Sequence, residues 1–521
     1  MTILFILIAL AAIGNMIFEF KRDLMMMQQN SYRRERYMKW LSTSGDTTSV
    51  IRLCGMGVFL FSLVSFASWT MGMVAMVAFA GISGVRLLGA VYKKPLVWTP
   101  RAKRIFSVMC VVAVIVAACI TGFYCDGSLM KAAFLVALSA TGLYCASHLV
   151  TMLAVWLLQP VEKRINKGYY DDAYRILHSM PELMVIGITG SYGKTSTKHY
   201  LNRILSESFN VLMTPGSYNT TMGVIRTVRE MMQPYTEIFI CEMGAKNIGD
   251  IKEICDLVHP TIGIVTAVGE QHLESFKSIE NVQRTKFELV DSLPADGIAF
   301  VNNDFPFVAN RKVENVECCR YSIGGGDDVD YHVTDMVFTP DGTDFTLVGP
   351  FGSAPFHTKL IGEFNISNLI PAIAVAIYLE VPLERIQYAV AKIDQVEHRL
   401  SLRRIPGSYT IIDDAFNSNP DGSRMALDVL SAMTAGKRIV VTPGMIELGE
   451  KQYEYNGNFG RKIASSADIA IIVGVYNRDA ILSGLRDAGM PEDKVHAVDT
   501  FNDAQRAVSY THLTLPTNSL V

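Results

Sequence analysis

The chain has 521 residues, of which half are hydrophobic, and its 47 basic and 50 acidic residues leave a formal net charge of −3. The length allows three or so domains, and a mean hydropathy of +0.25 excludes a chain that is water-soluble throughout. The hydrophobic excess is concentrated in the first 160 residues. We expect no nucleic-acid partner.

Five apolar segments near the N-terminus have about the 20 residues that a helix needs to cross a bilayer. They are residues 2–20, 53–68, 71–88, 105–124 and 132–158. Basic residues are concentrated in the loops 21–39 and 93–104, which favours a cytoplasmic position for both loops. We therefore predict a multi-pass membrane protein, with everything after Pro160 in the cytoplasm.

After an amphipathic link, predicted strands alternate with predicted helices, which indicates an α/β fold with a parallel sheet covered on both faces. The predicted strands of this part are residues 184–189, 237–243, 262–268 and 297–303, followed by a hairpin over 333–349 and a helix over 367–380. A second alternating unit begins near residue 397, with strands at 409–416, 438–444 and 469–475. This unit predicts a Rossmann-like C-terminal domain.

A glycine-bracketed turn lies between the first of these strands and an amphipathic helix. Gly190 and Gly193 allow the backbone N–H groups to point inward, and the following helix presents its positive end. Lys194 supplies a cation, and Thr195 supplies a hydroxyl group for Mg²⁺. The motif is the short form Gly-x-x-Gly-Lys-Thr, because Ile188 stands where the longer form has a glycine. We predict that the loop binds a nucleoside triphosphate.

Other polar residues follow strands, and ligands of parallel sheets bind at this edge. Glu242 ends a strand, and we predict that it is a magnesium ligand. His272 follows the next strand, where the residues alone leave a surface role and a site role open. Lys286 lies in a predicted helix and, from sequence alone, is interpreted as a solvated residue. A last group of polar residues follows a C-terminal strand and consists of Asp414, Asn417 and Asn419. These residue types are common in turns, and a role in the site is equally compatible with them.

Seven motifs in order resemble the Mur ligase family, and most closely its D-alanyl-D-alanine-adding branch. The motifs occupy residues 189–196, 214–224, 242–251, 269–289, 362–368, 413–423 and 443–450. The resemblance implies an ATP-dependent ligase that joins D-Ala-D-Ala to a muramoyl-tripeptide-type carboxylate through an acyl phosphate in peptidoglycan precursor synthesis. ATP, Mg²⁺, a muramoyl-peptide acceptor and D-Ala-D-Ala are the implied cofactors and partners, and protein partners are unknown.

The resemblance also implies roles for individual residues. Lys194 would hold the phosphates, Thr195 and Glu242 one Mg²⁺, and His272 a second Mg²⁺ with the help of a carbamylated Lys286. Arg399 would lie near the γ-phosphate. The remaining residues of the implied site contact the nucleotide, and the last three of them also face the dipeptide: Gly190, Ser191, Gly193, Ser196, Asn302, Asn365, Asp414, Asn417 and Asn419.

The predicted domains are a membrane region of about five spans over 1–160, a central ATP-binding domain over 161–395, a C-terminal domain over 396–505 that looks truncated, and a non-native tail over 506–521. Members of the family ordinarily begin with a soluble domain that grips the uridine diphosphate of the acceptor. Predicted spans stand in its place here. The acceptor could therefore be linked to uridine diphosphate or to a membrane lipid.

Two alternatives remain open from the sequence. The first is a membrane-anchored amide ligase that acts on another carboxylate, such as poly-glutamate or a lipid-linked precursor. The second is a nucleotide-dependent membrane switch or transporter without ligase chemistry. The predicted spans offer little support for a transport path, because their ionisable residues are few, notably His148 and the span-end residues Glu19 and Arg86.

Overall fold

The computed structural model describes residues 1–64, 69–90, 92, 94–270, 273–339, 342–396, 399–404, 410–415, 419–433 and 436–510. The chain divides into two compact units, Met1–Gly168 and Tyr169–Val521. Two predicted site residues, His272 and Asn417, lie outside the described residues, as does the turn at residues 340–341.

The first unit is helical. Its helices are α1 (Thr2–Gln29), α2 (Arg34–Ser44), α3 (Val50–Val64), α4 (Trp69–Gly89), α5 (Pro100–Tyr124), α6 (Leu129–Cys145) and the part of α7 (Ser147–His178) up to Gly168, with a short 3₁₀ helix at Asp46–Thr48. Helix α1 packs along α6 and α4, and the apolar faces of these helices form the core of the unit.

The prediction of about five spans stays a prediction for the part of the chain that the structure describes. Three helices, α1, α4 and α5, are long and apolar enough to cross a membrane, and α6 with α7 makes a fourth if the pair counts as one span. The described part of α3 has 15 residues. The predicted span over 132–158 falls on α6 and α7, which meet at an angle of 79°.

The break between α6 and α7 has a tertiary cause. The guanidinium group of Arg52 donates to the carbonyl oxygen of Cys145 at 3.2 Å and to the hydroxyl oxygen of Ser147 at 3.0 Å. Cys145 ends α6, and its carbonyl oxygen would otherwise accept a bond from the next turn of the helix. An arginine that lies 93 residues earlier in the chain therefore satisfies the end of α6.

The second unit contains the predicted α/β sheet. Its nine strands are β1 (Met184–Thr189), β2 (Val211–Met213), β3 (Ile238–Glu242), β4 (Ile262–Val265), β5 (Ile298–Asn302), β6 (Glu317–Ser322), β7 (Tyr331–Thr339), β8 (Gly342–Gly349) and β9 (Gly352–Thr358). The order across the sheet is β2-β3-β1-β4-β5-β6-β7-β8-β9. Neighbours from β2 to β7 pair in parallel, and β7, β8 and β9 pair antiparallel. The predicted parallel sheet is confirmed, and its carboxyl edge can hold a site.

Helices cover both faces of this sheet. They are α8 (Lys194–Leu205), α9 (Thr221–Met231), α10 (Asp250–Val258), α11 (Leu273–Phe276), α12 (Ile279–Asp291), α13 (Pro306–Ala309), α14 (Glu363–Tyr378) and α15 (Leu383–Ala391). Residues of β1 alternate between the two hydrophobic cores: Ile186 and Ile188 pack with α8 and α14, whereas Val185 belongs to the core of α10 and α12.

The C-terminal part has its own small sheets. Strands β12 (Ile439–Thr442), β13 (Ile469–Val473) and β14 (Val495–Val498) pair in parallel, and β10 (Ser401–Arg404) pairs antiparallel with β11 (Thr410–Asp413). The helices are α16 (Pro420–Ala432), α17 (Gln452–Ser466), α18 (Arg478–Asp487) and α19 (Phe501–Tyr510). The predicted strand at 409–416 thus belongs to a separate hairpin.

Candidate nucleotide-binding site

The glycine-bracketed turn forms a tight loop between β1 and α8. Gly190 has φ +150°, and a Cβ atom there would overlap the hydroxyl oxygen of Thr266. Gly193 has φ +81°, and a Cβ atom there would overlap the side-chain oxygen of Asn368. Only glycine fits both places. The loop can therefore hold its N–H groups at the positive end of α8.

Ser191 fixes this loop to the segment that follows β4. Its N–H group donates to the carbonyl oxygen of Ala267 at 2.7 Å, and its hydroxyl group bonds both the carbonyl oxygen and the N–H group of Gly269 at 3.1 Å. The loop is thus held next to the start of the predicted motif that contains His272. Ser196, on the first turn of α8, is buried.

Lys194 lies over its own loop. Its ammonium group donates to the carbonyl oxygens of Gly190 at 2.6 Å and Ser191 at 3.2 Å. Burial lowers the pKa of this lysine to about 8, although the nearby carboxylate of Glu242 raises it. The cation is therefore inside the loop, where the sequence predicts that a phosphate group binds.

Glu242 ends β3 beside the loop and is 1% exposed. Its carboxylate oxygens both lie 3.1 Å from the hydroxyl oxygen of Thr195, and Oε1 also accepts from the amide of Asn219 at 3.1 Å. Burial alone would raise the pKa of Glu242, but the ammonium groups of Lys198 and Lys194 hold it below its usual value. The site therefore contains a buried, ionised carboxylate next to a hydroxyl group.

Lys198 is a site residue that the sequence reasoning missed. It is fully buried, and its ammonium group lies 2.9 Å from Oε2 of Glu242 and donates to the carbonyl oxygen of Gly216 at 2.6 Å. A signal was available, because residues four apart on a helix share a face. Lys198 follows Lys194 by four residues and so faces the same side of α8.

Lys286 is buried, so its interpretation as a solvated residue is wrong. It is 3% exposed on α12, whose inner face packs against the sheet. Burial first, and then the positive charge of Lys194, lower the pKa of Lys286 to about 7. The charged and the uncharged form of the amine are therefore both populated near neutral pH, in the neighbourhood of the loop.

Of the predicted residues of the C-terminal part, Arg399 reaches the loop, and Asp414 lies near Arg399. The guanidinium group of Arg399 lies 3.5 Å from the hydroxyl oxygen of Thr195. Asp414 accepts from the N–H group of Leu400 at 3.1 Å, and burial raises its pKa to about 7. Asn419 instead caps α16, where its side chain accepts from Gly422 at 2.9 Å.

The two predicted asparagines near the nucleotide are buried where β5 meets α14. Asn302 donates to the hydroxyl oxygen of Ser367 at 3.0 Å, and Asn365 accepts from the hydroxyl group of Tyr200 at 3.0 Å. A third asparagine, Asn368, was missed. It is 1% exposed beside Gly193, and its Nδ2 has no hydrogen-bond partner among the described residues.

A parallel sheet with a glycine loop before a helix, and a carboxylate at the end of the adjacent strand, is an arrangement with which α/β proteins bind phosphate groups. The family model of the Mur ligase middle domain matches residues 188–376, and that of the Mur ligase glutamate ligase domain matches residues 398–515. The chain belongs to the Mur ligase family. Both matched ranges lie in the second unit.

Relatives and solved structures agree with this family. The chain is 30% identical over 281 residues to the UDP-N-acetylmuramoyl-tripeptide–D-alanyl-D-alanine ligase of Bacillus subtilis, covering 54% of this chain and 60% of that protein. The Escherichia coli ligase of the same name is 31% identical over 312 residues, and the match covers 58% of this chain and 67% of that protein. A crystal structure of MurF from Acinetobacter baumannii has a TM-score of 0.60 and 26% identity, and the match covers 66% of this chain and 73% of that one. The chain thus spans about three fifths of the B. subtilis relative.

Replacement of Lys198 should reveal how strongly the stability of the fold depends on the ion pair between Lys198 and Glu242. We expect Lys198→Met to lower the free energy of unfolding by about 3 kcal/mol, because it leaves a buried carboxylate without its cation. The deficit should be largest at neutral pH and shrink as the pH falls towards 4.5, the usual pKa of a glutamate, because protonation then removes the unpaired charge. Urea unfolding of the full chain in detergent at several pH values measures both effects.

The matched control is Lys252→Met, which removes an exposed partner of Asp256 on α10. We expect little change there. Equal stability of the two variants across the pH range would show that Lys198 does not compensate Glu242.

Proposed function

We propose that the chain is an ATP-dependent ligase that joins D-Ala-D-Ala to the terminal carboxylate of a muramoyl-tripeptide-type acceptor in peptidoglycan precursor synthesis. The observation that carries the proposal is the contact of Thr195 with Glu242 beside the loop that holds Lys194. The names of the B. subtilis and E. coli relatives support this reaction.

The reaction forms an amide in two steps. An oxygen of the acceptor carboxylate attacks the γ-phosphorus of ATP, the bond to the β-phosphate oxygen breaks, and ADP leaves. The amine of D-Ala-D-Ala then attacks the carbonyl carbon of the acyl phosphate, phosphate leaves with the electron pair of the C–O bond, and the nitrogen loses a proton. Two anions must meet in the first step. Lys194 and Arg399 are the cations of this chain that reduce their repulsion, and they act strongly because both are partly removed from water.

The side chains at the loop fit Mg²⁺. Thr195 and Glu242 offer hydroxyl and carboxylate oxygens, which are the ligands that this hard cation prefers. We assign one Mg²⁺ to this pair and a second to His272 and Lys286. When bound, Mg²⁺ would neutralise charge on the β- and γ-phosphates.

A carbamate on Lys286 would make that lysine suitable for a cation. Its amine nitrogen attacks CO₂, a proton leaves, and the product is an anion with two oxygen atoms. The reaction needs the uncharged amine, which the pKa of about 7 supplies near neutral pH. A lysine at its ordinary pKa, near 10.4, would be almost wholly protonated there.

The remaining residues are assigned to the nucleotide and the dipeptide. The backbone of Gly190, Ser191 and Gly193 would cradle phosphates, with Ser196 on the following turn. Asn302 and Asn365 would lie near the nucleotide. Both substrates would face the loop that contains Asp414, Asn417 and Asn419.

We also propose that the first unit anchors the chain in the bacterial inner membrane with the second unit in the cytoplasm. The three long apolar helices and the basic loops support this placement. Protease added to the cytoplasmic face of inverted vesicles should degrade the second unit, whereas protease added to intact spheroplasts should spare it. The opposite sidedness would refute the orientation.

Product analysis tests the ligase proposal. The full chain is given ATP, Mg²⁺, D-Ala-D-Ala and a muramoyl tripeptide, and each component is omitted in turn. We expect phosphate release only when acceptor and dipeptide are both present, and a product heavier by one dipeptide minus one water. Phosphate release that depends on neither the acceptor nor the dipeptide would indicate a nucleotide-dependent switch. Parallel reactions with acceptors linked to uridine diphosphate and to a lipid in bilayers decide the acceptor class.

A further inference from the structure

The first unit contains a buried group of charged residues that the ligase chemistry does not use. We call it the α1 cluster, and its members are Glu19, Arg22, Asp23, Asp46 and Arg52. Glu19 is 1% exposed, Asp23 is 0% exposed and Arg52 is 3% exposed. Buried ionisable groups are costly unless they are paired, and among apolar helices they point to a functional site.

Most polar atoms of the α1 cluster are paired. Arg52 contacts Glu19 at 2.8 Å, Asp23 at 3.0 Å and Asp46 at 3.1 Å. Arg22 contacts Oε1 of Glu19 at 2.7 Å and makes a close ion pair with Asp46. Asp23 also accepts from the hydroxyl group of Ser147 at 2.6 Å. The two aspartates therefore have donors on both of their oxygens.

The charges of the α1 cluster do not balance. Three carboxylates face two guanidinium groups, and one oxygen from each of Glu19, Asp23 and Asp46 lies within 4.8 Å of the others. Other titratable groups that face the cluster are Tyr37 of α2, Tyr144 and Cys145 of α6, and His148 of α7. Arg86 of α4 is exposed and acts on the phenol of Tyr144. Uncharged phenols and a thiol add no positive charge. His148 presents Nδ1 to the guanidinium group of Arg52 at 3.3 Å, which requires an unprotonated nitrogen there.

Two buried acceptors at this place have no donor among the described residues. They are Oε2 of Glu19 and the side-chain oxygen of Asn15, which is 6% exposed. Asn15 precedes Glu19 by four residues on α1, so the two side chains share a face of the helix. One hydrogen between two acceptor oxygens would satisfy both.

We propose that the α1 cluster is a buried proton-binding site in which Oε2 of Glu19 carries the proton and donates it to Asn15. The proton balances the third carboxylate and supplies the missing donor. The inference goes beyond the ligase activity, because every residue involved lies in the first unit.

The free ligand atoms favour a proton over a divalent cation. Only Oε2 of Glu19 among the carboxylate oxygens of the cluster lacks a donor in the described structure, as does the side-chain oxygen of Asn15, one turn earlier on α1. A divalent cation needs about six oxygen ligands. It would have to displace Arg22 and Arg52 from the aspartates, whereas a proton displaces nothing.

Matched variants test the charge balance. Glu19→Gln keeps the oxygen that Arg22 and Arg52 contact and places an N–H group towards Asn15, so the thermal midpoint of the full chain in detergent should stay within about 2 °C of wild type. Asp23→Asn removes a charge that Arg52 needs, and the midpoint should fall by about 10 °C. A larger fall for Glu19→Gln than for Asp23→Asn would overturn the proposal.

Chemical labelling of the wild-type chain tests the proton directly. Dicyclohexylcarbodiimide reacts with protonated carboxyl groups in apolar surroundings, and mass spectrometry locates the adduct. We expect labelling of Glu19 at neutral pH, equal in sodium and potassium buffers, and none at this position in Glu19→Gln. In Asn15→Leu, the pH above which Glu19 is no longer labelled should be lower than in wild type. The variant lacks the side-chain oxygen that accepts the hydrogen bond from protonated Glu19. Unlabelled Glu19, or protection by sodium, magnesium or calcium, would refute the proton and favour a bound water or a metal cation.

Discussion

Lys194→Ala is expected to lower acceptor-dependent phosphate release by at least about 1,000-fold, because preorganised charge at the transferring phosphate is a large share of such catalysis. The fold should survive, since among the described residues the lost ammonium group bonds the carbonyl oxygens of Gly190 and Ser191. Steady-state kinetics of phosphate release measures the loss, and the thermal midpoint checks the fold.

Lys252→Ala is the control for Lys194→Ala, because this lysine is exposed on α10 and pairs only with a neighbour on the same helix. Its rate should equal that of wild type. If Lys194→Ala also released phosphate at the wild-type rate, the assignment of the loop to the reacting nucleotide would be wrong.

Lys286→Ala should lower the rate by at least about 100-fold, and short carboxylic acids in the buffer should restore part of it if a carbamate is the working group. Because burial lowers the pKa of Lys286 to about 7, the fraction of uncharged amine rises with pH through neutrality. Wild-type enzyme depleted of CO₂ should therefore regain activity faster at pH 8 than at pH 6 when the concentration of dissolved CO₂ is the same at both pH values.

Lys194→Ala provides the contrast, because a carboxylate cannot replace a cation and the same acids should not rescue it. A Lys286→Ala variant with wild-type activity would return this lysine to a structural role. The carbamate would be excluded if Lys286→Ala were inactive and not rescued by carboxylic acids, and if the activity of the wild-type enzyme did not depend on CO₂.

Local sequence patterns predicted the strand, loop and helix around Lys194, because a buried strand, two glycines and an amphipathic helix are each recognisable over a few residues. The position of Glu242 followed from one further rule, that parallel strands end at the same edge of a sheet. These contacts need no knowledge of side-chain packing.

Contacts between distant segments could not be predicted in this way. The burial of Lys286 depends on which face of α12 meets the sheet, and its polar neighbours in sequence suggest solvent. The break after α6 depends on Arg52, which sequence reasoning placed before a span. The charge balance of Glu19 likewise depends on α1, α3 and the 3₁₀ helix together.

Oxygen transfer from the acceptor to phosphate tests the acyl-phosphate chemistry most directly. The full chain is given ATP, D-Ala-D-Ala and an acceptor whose terminal carboxylate carries ¹⁸O on both oxygens. Mass spectrometry of the products should find one ¹⁸O in each phosphate released and one retained in the new amide. Phosphate whose added oxygen comes from water, with both labelled oxygens still on the acceptor, would contradict the ligase and identify simple ATP hydrolysis.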